Sequence, residues 1–325
     1  MNGVGSSREQ RIEKALFRGG TLQLSNVRYR DTVRTLTDLL LKADLTPTDV
    51  TAKALRLPQR QIRAAVISQQ GGVAAGLEEF RFLMKERGIK VAAEKNDGDA
   101  MSPGEILLRV EGQETTLLAL ERVGLNLLQR MSGIATVARC LKERANRRGR
   151  ARVVGTRKTP WGLLDKRALH LGGAGTHRLG LGDAILIKNN HLALLASSEE
   201  QAAPLAIERA WTARRKVAFM EVEVRGAEAA RAAARTFQHL LEKEGEEYPC
   251  LLLLDNRMPE QIEAIVNMLQ REGLWDHVLV EASGGISETN IEAYAATGID
   301  AISVGALTHS ARALDLCLRI SSLTH

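Results

Sequence analysis

Val278-Leu-Val-Glu-Ala-Ser-Gly-Gly285 reads as a short apolar strand that runs straight into a turn offering backbone N–H groups. Its nearly continuous apolar positions suit a strand covered on both faces. The pattern recurs on either side. Leu251-Leu-Leu-Leu-Asp255 ends on a carboxylate, and residues 217–224 carry Glu221 and Glu223. Residues 184–187 end at Lys188, residues 151–155 lead to Arg157 and Lys158, and residues 301–304 enter Gly305-Ala-Leu-Thr-His309. Amphipathic helices are expected between most of these strands, over residues 199–215, 227–242, 259–272 and 290–296. Every strand thus has a charged or glycine-rich group at its carboxyl end, and an α/β barrel gathers such ends around one mouth. A doubly wound sheet would concentrate its chemistry at one switch point, so the barrel is favoured.

Upstream the rhythm differs. A helix is expected over residues 29–42, a turn at Asp44-Leu-Thr-Pro-Thr-Asp-Val50, a strand over 61–68 and a helix over 77–87. Residues 89–95 and 105–111 look like paired strands joined by Asn96-Asp-Gly-Asp-Ala-Met-Ser-Pro-Gly104, a segment dense in turn formers. That order suggests an α+β layer. A long helix over residues 117–146 then leads into the strand–helix repeat.

With 325 residues and 44% hydrophobic content, the chain suits one large α/β domain or two of ordinary size. Mean hydropathy is -0.15, as for a soluble globular protein. No apolar run approaches the roughly 20 residues that span a bilayer. Met1-Asn-Gly-Val-Gly-Ser-Ser7 lacks the charged and apolar regions of a secretory signal. Cys140, Cys250 and Cys317 are scattered in apolar segments and read as reduced, buried thiols of a cytoplasmic protein. A net charge of +6 raises nucleic acid as a partner, but aromatic residues are only 3%, too few for a stacking platform. The basic run Lys142-Glu-Arg-Ala-Asn-Arg-Arg-Gly-Arg-Ala-Arg152 reads as a helix end and connection.

The chemistry concentrates between Gly155 and His191, where Arg157, Lys158, His177, Arg178 and Lys188 sit among glycines at strand ends. Such cations suit a small, multiply anionic substrate. Glu223 and Asp255, single carboxylates on separate strands, suit Mg²⁺, which binds through one or two carboxylates plus substrate phosphates. Alternation along the strand is expected to leave only one of Glu221 and Glu223 facing the mouth, with Glu221 pointing away. Ser283-Gly-Gly285 and Gly305 offer two turns able to hold a phosphate. His177 reads as an anion-binding donor beside Arg178, and His191 as a residue that orders its loop. Gly175-Thr-His-Arg-Leu-Gly180 has dinucleotide-loop spacing, but no strand immediately precedes it and no acid follows at the required distance.

Several pieces together resemble the nicotinate-nucleotide pyrophosphorylase (carboxylating), or quinolinate phosphoribosyltransferase, family. They are Glu121-Arg-Val-Gly-Leu-Asn126, Ser132-Gly-Ile-Ala-Thr136, Thr156-Arg-Lys-Thr159, His177-Arg-Leu-Gly-Leu-Gly-Asp183 and Leu186-Ile-Lys-Asn-Asn-His191. Glu221-Val-Glu-Val224, Leu253-Leu-Asp-Asn256, Glu281-Ala-Ser-Gly-Gly285 and Val304-Gly-Ala-Leu-Thr-His309 continue the likeness in order. The resemblance implies an α/β fold: an N-terminal α/β sandwich over residues 1–120, then an incomplete, open α/β barrel over 121–325 with a C-terminal helix. It implies Mg²⁺-dependent phosphoribosyl transfer from 5-phosphoribosyl 1-diphosphate to quinolinate, yielding nicotinate mononucleotide, pyrophosphate and CO₂, by at least a homodimer with shared sites. The catalytic set it implies is Glu223, Asp255, Lys158 and Lys188, with Glu223 and Asp255 near ribose and metal and Lys158 near the diphosphate. Arg157, His177, Arg178 and Lys188 match residues around the quinolinate carboxylates. Arg122 matches an arginine given to the neighbouring subunit's site, and Ser283, Gly284, Gly285 and Gly305 match 5-phosphate loops. Two departures stand out. The family usually has three consecutive glycines and an Asn before His-Arg, against Gly172-Gly-Ala-Gly-Thr-His-Arg178 here, and Lys-Asp-Asn-His against Lys188-Asn-Asn-His191.

Overall fold

The computed structural model of the chain describes residues 7–45 and 48–323; Thr46 and Pro47, within the expected turn, and the first six residues lie outside the description. The strands are β1 (Gln61–Ser68), β2 (Gly72–Val73), β3 (Lys90–Ala93), β4 (Ala100–Met101), β5 (Ile106–Gln113), β6 (Arg152–Val154), β7 (Ile185–Ile187), β8 (Met220–Val224), β9 (Cys250–Asp255), β10 (Leu279–Ser283), β11 (Ala301–Ser303) and β12 (Leu316–Leu323). They fall into two compact units that interleave in sequence. Among the described residues, one takes 7–19, 140–158 and 174–306, and the other takes 20–139, 159–173 and 307–323.

The first unit holds a six-stranded sheet in the order β6-β11-β10-β9-β8-β7, parallel at every pairing. β7 to β11 are neighbours in chain order and β6 returns beside β11, a ring order without the reversal of a doubly wound sheet. Gly175 bridges to Val154 of β6, while β6 and β7 stand at the two ends of the sheet. This is an incomplete α/β barrel. Outside it run Glu199–Trp211, Ala227–Glu244 and Pro259–Arg271. The middle helix buries Ala229, Ala230, Ala233, Ala234, Phe237 and Leu241, one stripe at helical spacing.

Period-two alternation sorts the strand residues into an outer and an inner set. Val222, Val224, Leu252, Leu254, Val280 and Ala282 are wholly buried between sheet and helices. The inner set is layered. Ala184, Phe219, Leu251, Leu279 and Ala301 form an apolar floor with Val154, completed by Ile12, Ala15 and Leu16 of the helix Arg8–Leu16. That helix, which the sequence reading does not contain, closes the amino end of the barrel.

The second unit carries an antiparallel sheet in the order β12-β1-β5-β3, with Val66 of β1 facing Leu318 on one side and Leu108 on the other. The helices Val27–Asp44 and Leu77–Lys85 belong to it, as does most of Glu114–Asn146, which crosses into the first unit after Arg139. Helix and sheet layers here form the α/β sandwich. The expected C-terminal helix is corrected: Leu316–Leu323 is a strand, because β1 offers an edge with which its backbone pairs over seven register positions. The thiols are also corrected, since only Cys250 is buried while Cys140 and Cys317 are partly exposed. No helix of the described residues is long and apolar enough to cross a membrane.

Candidate active site

Above the apolar floor the inner set turns polar and surrounds a cavity of about 340 Å³ at the carboxyl ends of the strands. Leu186 and Lys188 reach it from β7, Glu223 from β8, Leu253 and Asp255 from β9, Glu281 and Ser283 from β10, and Ser303 from β11. Thr156, Arg157 and Lys158 enter from the loop after β6, where the Thr156 hydroxyl accepts the Lys158 N–H at 3.1 Å and tightens the turn. His177 and Arg178 enter from the loop that follows Gly175. The barrel thus brings together Arg157, Lys158, His177, Arg178, Lys188, Glu223, Asp255 and Ser283 of the expected set.

The His177 loop is held from the amino end of the chain. His177 adopts a φ of 53°, a region sparsely used by residues other than glycine. Its N–H donates to the Leu16 carbonyl at 2.9 Å. Thr176, wholly buried, accepts the Arg18 N–H at 3.2 Å and lies 3.3 Å from the Leu16 carbonyl. Arg18 donates to both oxygens of Asp183 at 3.1 Å, and Asp183 accepts the Leu179 N–H at 2.8 Å. Thr176 therefore serves as an anchor for the loop.

His177 does not point at open space. Its Nδ1 accepts the Arg178 N–H at 2.8 Å, so the ring hydrogen sits on Nε2, which lies 3.1 Å from Glu221 and 3.5 Å from Glu281. Both glutamates are fully buried, and no oxygen of either receives a hydrogen bond of acceptable length and angle. Burial raises Glu221 to about 8 against the attraction of Arg178 and Lys188. Burial, then Glu221, raises Glu281 to about 8 against His177 and the Ser303 hydroxyl. Arg178 is lowered from its ordinary value by burial and by nearby Arg157. The expectation that Glu221 points away from Glu223 is corrected. Residues two apart on a strand share a face, so Glu221 lies inside the barrel one layer below Glu223.

At the rim, Lys188 Nζ pairs with Glu223 at 3.0 Å, and the Lys188 N–H donates to His191 Nδ1 at 2.8 Å, so His191 orders this turn. Asp255 is 3.9 Å from Arg225. Gly284 has a φ of 98°, and a Cβ there would overlap the Asn256 side chain, so the turn after β10 requires glycine. Gly284, Gly285 and Gly305 lie in turns beyond β10 and β11 and outside the cavity lining. Arg122 is exposed on Glu114–Asn146 in the second unit. Sequence reasoning gave no role to Glu281, Ser303 or Thr156. Glu281 did carry a signal, a lone carboxylate two residues before Ser283 inside an apolar strand.

An open α/β barrel whose mouth joins a cluster of cations to two carboxylates defines an α/β-barrel enzyme acting on anions. Two family models match, quinolinate phosphoribosyl transferase, N-terminal domain, over residues 49–132 and quinolinate phosphoribosyl transferase, C-terminal domain, over residues 134–319. The chain belongs to the quinolinate phosphoribosyl transferase family. It is 39% identical over 290 residues to the probable nicotinate-nucleotide pyrophosphorylase (carboxylating) of Methanothermobacter thermautotrophicus, covering 87% of this chain and 97% of that one. It is 37% identical over 295 residues to the nicotinate-nucleotide pyrophosphorylase (carboxylating) of Mycobacterium leprae, covering 89% and 96%. The structure of the nicotinate-nucleotide pyrophosphorylase from Francisella tularensis superposes with a TM-score of 0.74 at 27% identity, covering 90% and 96%.

Proposed function

We propose that this enzyme transfers the phosphoribosyl group of 5-phosphoribosyl 1-diphosphate to quinolinate, with loss of CO₂, to give nicotinate mononucleotide and pyrophosphate for NAD synthesis. The observation that carries this reading is the convergence of Arg157, Arg178 and Lys188 on one cavity with Glu223 and Asp255. Two acceptor carboxylates match this set of cations better than one, with Arg178 buried and Arg157 and Lys188 exposed at the mouth. Glu223 pairs with Lys188 at 3.0 Å. Arrival of an anionic acceptor releases Glu223 to face the positive charge that develops on the sugar. Holding both substrates in one walled cavity supplies rate through orientation.

Mg²⁺ fits the residues present. Glu223 and Asp255 are hard oxygen donors on the adjacent strands β8 and β9, at the mouth that would receive the diphosphate. Bound there, it would neutralise the leaving diphosphate. Lys158 adds a cation for the same group, and the turns at Ser283, Gly284, Gly285 and Gly305 suit the 5-phosphate. A homodimer in which Arg122 serves the neighbouring subunit's site belongs to the same reading, as does a cytoplasmic location, consistent with three free cysteines.

The test is release of CO₂ from carboxyl-labelled quinolinate with 5-phosphoribosyl 1-diphosphate and Mg²⁺, with nicotinate as the control acceptor. Quinolinate should turn over and nicotinate poorly. Equal turnover of the two would refute the assignment of the acceptor.

A further inference from the structure

Decarboxylation creates a demand that the cations and the metal do not meet. When the bond between a ring carbon and its carboxylate breaks, the electron pair stays on that carbon, and a proton must arrive to form the new C–H bond. A group able to give it near neutral pH needs a proton affinity close to the working pH. The cavity lining narrows the choice. The hydroxyls of Thr156, Ser283 and Ser303 and the guanidiniums of Arg157 and Arg178 are far too weakly acidic. Lys188 and Glu223 are committed to each other in an ion pair at 3.0 Å, Asp255 at the rim lies 3.9 Å from Arg225, and Lys158 is exposed at the rim where the diphosphate is placed. His177 directs its Nε2 hydrogen at the glutamates, because Nδ1 already accepts a backbone N–H. Glu281 remains, a carboxyl at the cavity wall, wholly buried and without a well-aligned hydrogen bond.

We propose that Glu281 is the acid that protonates the ring carbon vacated by CO₂, with His177 as a positioning residue. The inference rests on quinolinate being the acceptor. In the step, the carbon–carboxylate bond breaks and CO₂ leaves. The Glu281 O–H bond gives its proton to the carbon, whose electron pair forms the C–H bond, and Glu281 becomes a carboxylate. Solvent returns the proton once the cavity empties. With no well-aligned hydrogen bond, a carboxylate in this position would carry a large desolvation cost, so the resting group is the neutral acid. The charged or titratable neighbours facing it are His177 from its loop, Glu221 from β8 and Lys188 from the end of β7, and burial together with Glu221 outweighs the rest. The arrangement of His177, Glu221 and Glu281 also has the composition of a metal site. The histidine tautomer speaks against it, since a ligating Nε2 must give up its hydrogen to Nδ1, which is already an acceptor.

The experiment is single-turnover release of CO₂ and of pyrophosphate from quinolinate, 5-phosphoribosyl 1-diphosphate and Mg²⁺, with wild type and Glu281→Gln. The variant should slow CO₂ release about 100-fold or more. Its KM for quinolinate should change little, and the ribosylated dicarboxylate should accumulate. CO₂ release by wild type should be slower in deuterium oxide and should fall as pH rises through about 8, where the acid is lost. CO₂ release by the variant within threefold of wild type, or pyrophosphate and CO₂ slowed in equal measure, would overturn the assignment. Should the variant fail to fold, the wild-type measurements decide, and CO₂ release indifferent to deuterium oxide and flat from pH 7 to 9 would overturn it. Wild type that releases no CO₂ from quinolinate would instead remove the functional reading beneath it.

Discussion

An acid kept neutral inside a barrel weakens the fold in proportion to pH, and Glu281→Gln should reveal this. In the unfolded chain Glu281 titrates near its ordinary 4.5, whereas in the fold it titrates at about 8. Between those values the folded state binds the extra proton, so stability is greatest below 4.5 and declines as pH rises toward 8. One proton is worth about 1.4 kcal/mol per pH unit, so from pH 5 to pH 7.5 this group should cost the wild type about 3 kcal/mol. The amide is neutral throughout and nearly the same shape, and like the acid it is buried without a good partner. The two proteins should therefore be almost equally stable at pH 5, with the variant gaining steadily above it. Urea unfolding of both proteins at half-unit intervals from pH 5 to 8 measures the difference directly. A difference that stays constant with pH would refute the neutral-acid reasoning. A variant that loses ground as pH rises would show that Glu281 is a stabilised carboxylate.

The other predictions concern the rim and the frame. Glu223→Gln should lower turnover by about 100-fold, roughly 2–3 kcal/mol of transition-state stabilisation, while quinolinate affinity in a binding isotherm changes little. Mixing Arg122→Ala with Lys188→Ala subunits, each inactive alone, should restore activity in hybrid dimers, and hybrids that form without activity would refute sharing. Gly133→Ala puts a Cβ onto the Arg312 carbonyl oxygen, so its melting temperature should fall by the equivalent of about 2 kcal/mol or more, whereas Gly182→Ala meets open space and should be neutral. Arg18→Ala removes the partner of Asp183 that steadies the His177 loop, and should raise the quinolinate KM about fivefold, close to 1 kcal/mol, with little change in melting.

Most of this architecture is written locally. Leu251-Leu-Leu-Leu-Asp255 and its sister strands are apolar on both faces because sheet and helices enclose them, and that signal survives without knowledge of any partner. The charged groups at their carboxyl ends were equally legible, since a barrel can place them only at one mouth. Two elements were hidden because long-range contacts decide them. Arg8–Leu16 offers only Ile12, Ala15 and Leu16 to the core, too few for a convincing helical stripe, and its floor position depends on residues up to Ala301. Leu316-Cys-Leu-Arg-Ile-Ser-Ser-Leu323 carries apolar residues compatible with either period, and β1, some 250 residues earlier, makes it a strand.

The missed glutamates point to depth as the quantity that alternation encodes once a sheet closes around an interior. Phe219, just before β8, lies in line with Glu221 and Glu223 of that strand, Leu251, Leu253 and Asp255 share one face of β9, and Leu279, Glu281 and Ser283 one face of β10. Each series passes from the apolar floor to the open mouth. The carboxylates at the third position lie among cations, Glu223 paired with Lys188 and Asp255 near Arg225. The same residue at the second position is cut off from water and held as an acid. The chemical difference between Glu223 and Glu281 is thus set by one step of about 7 Å along a strand, which separates charge stabilisation from proton delivery within one cavity.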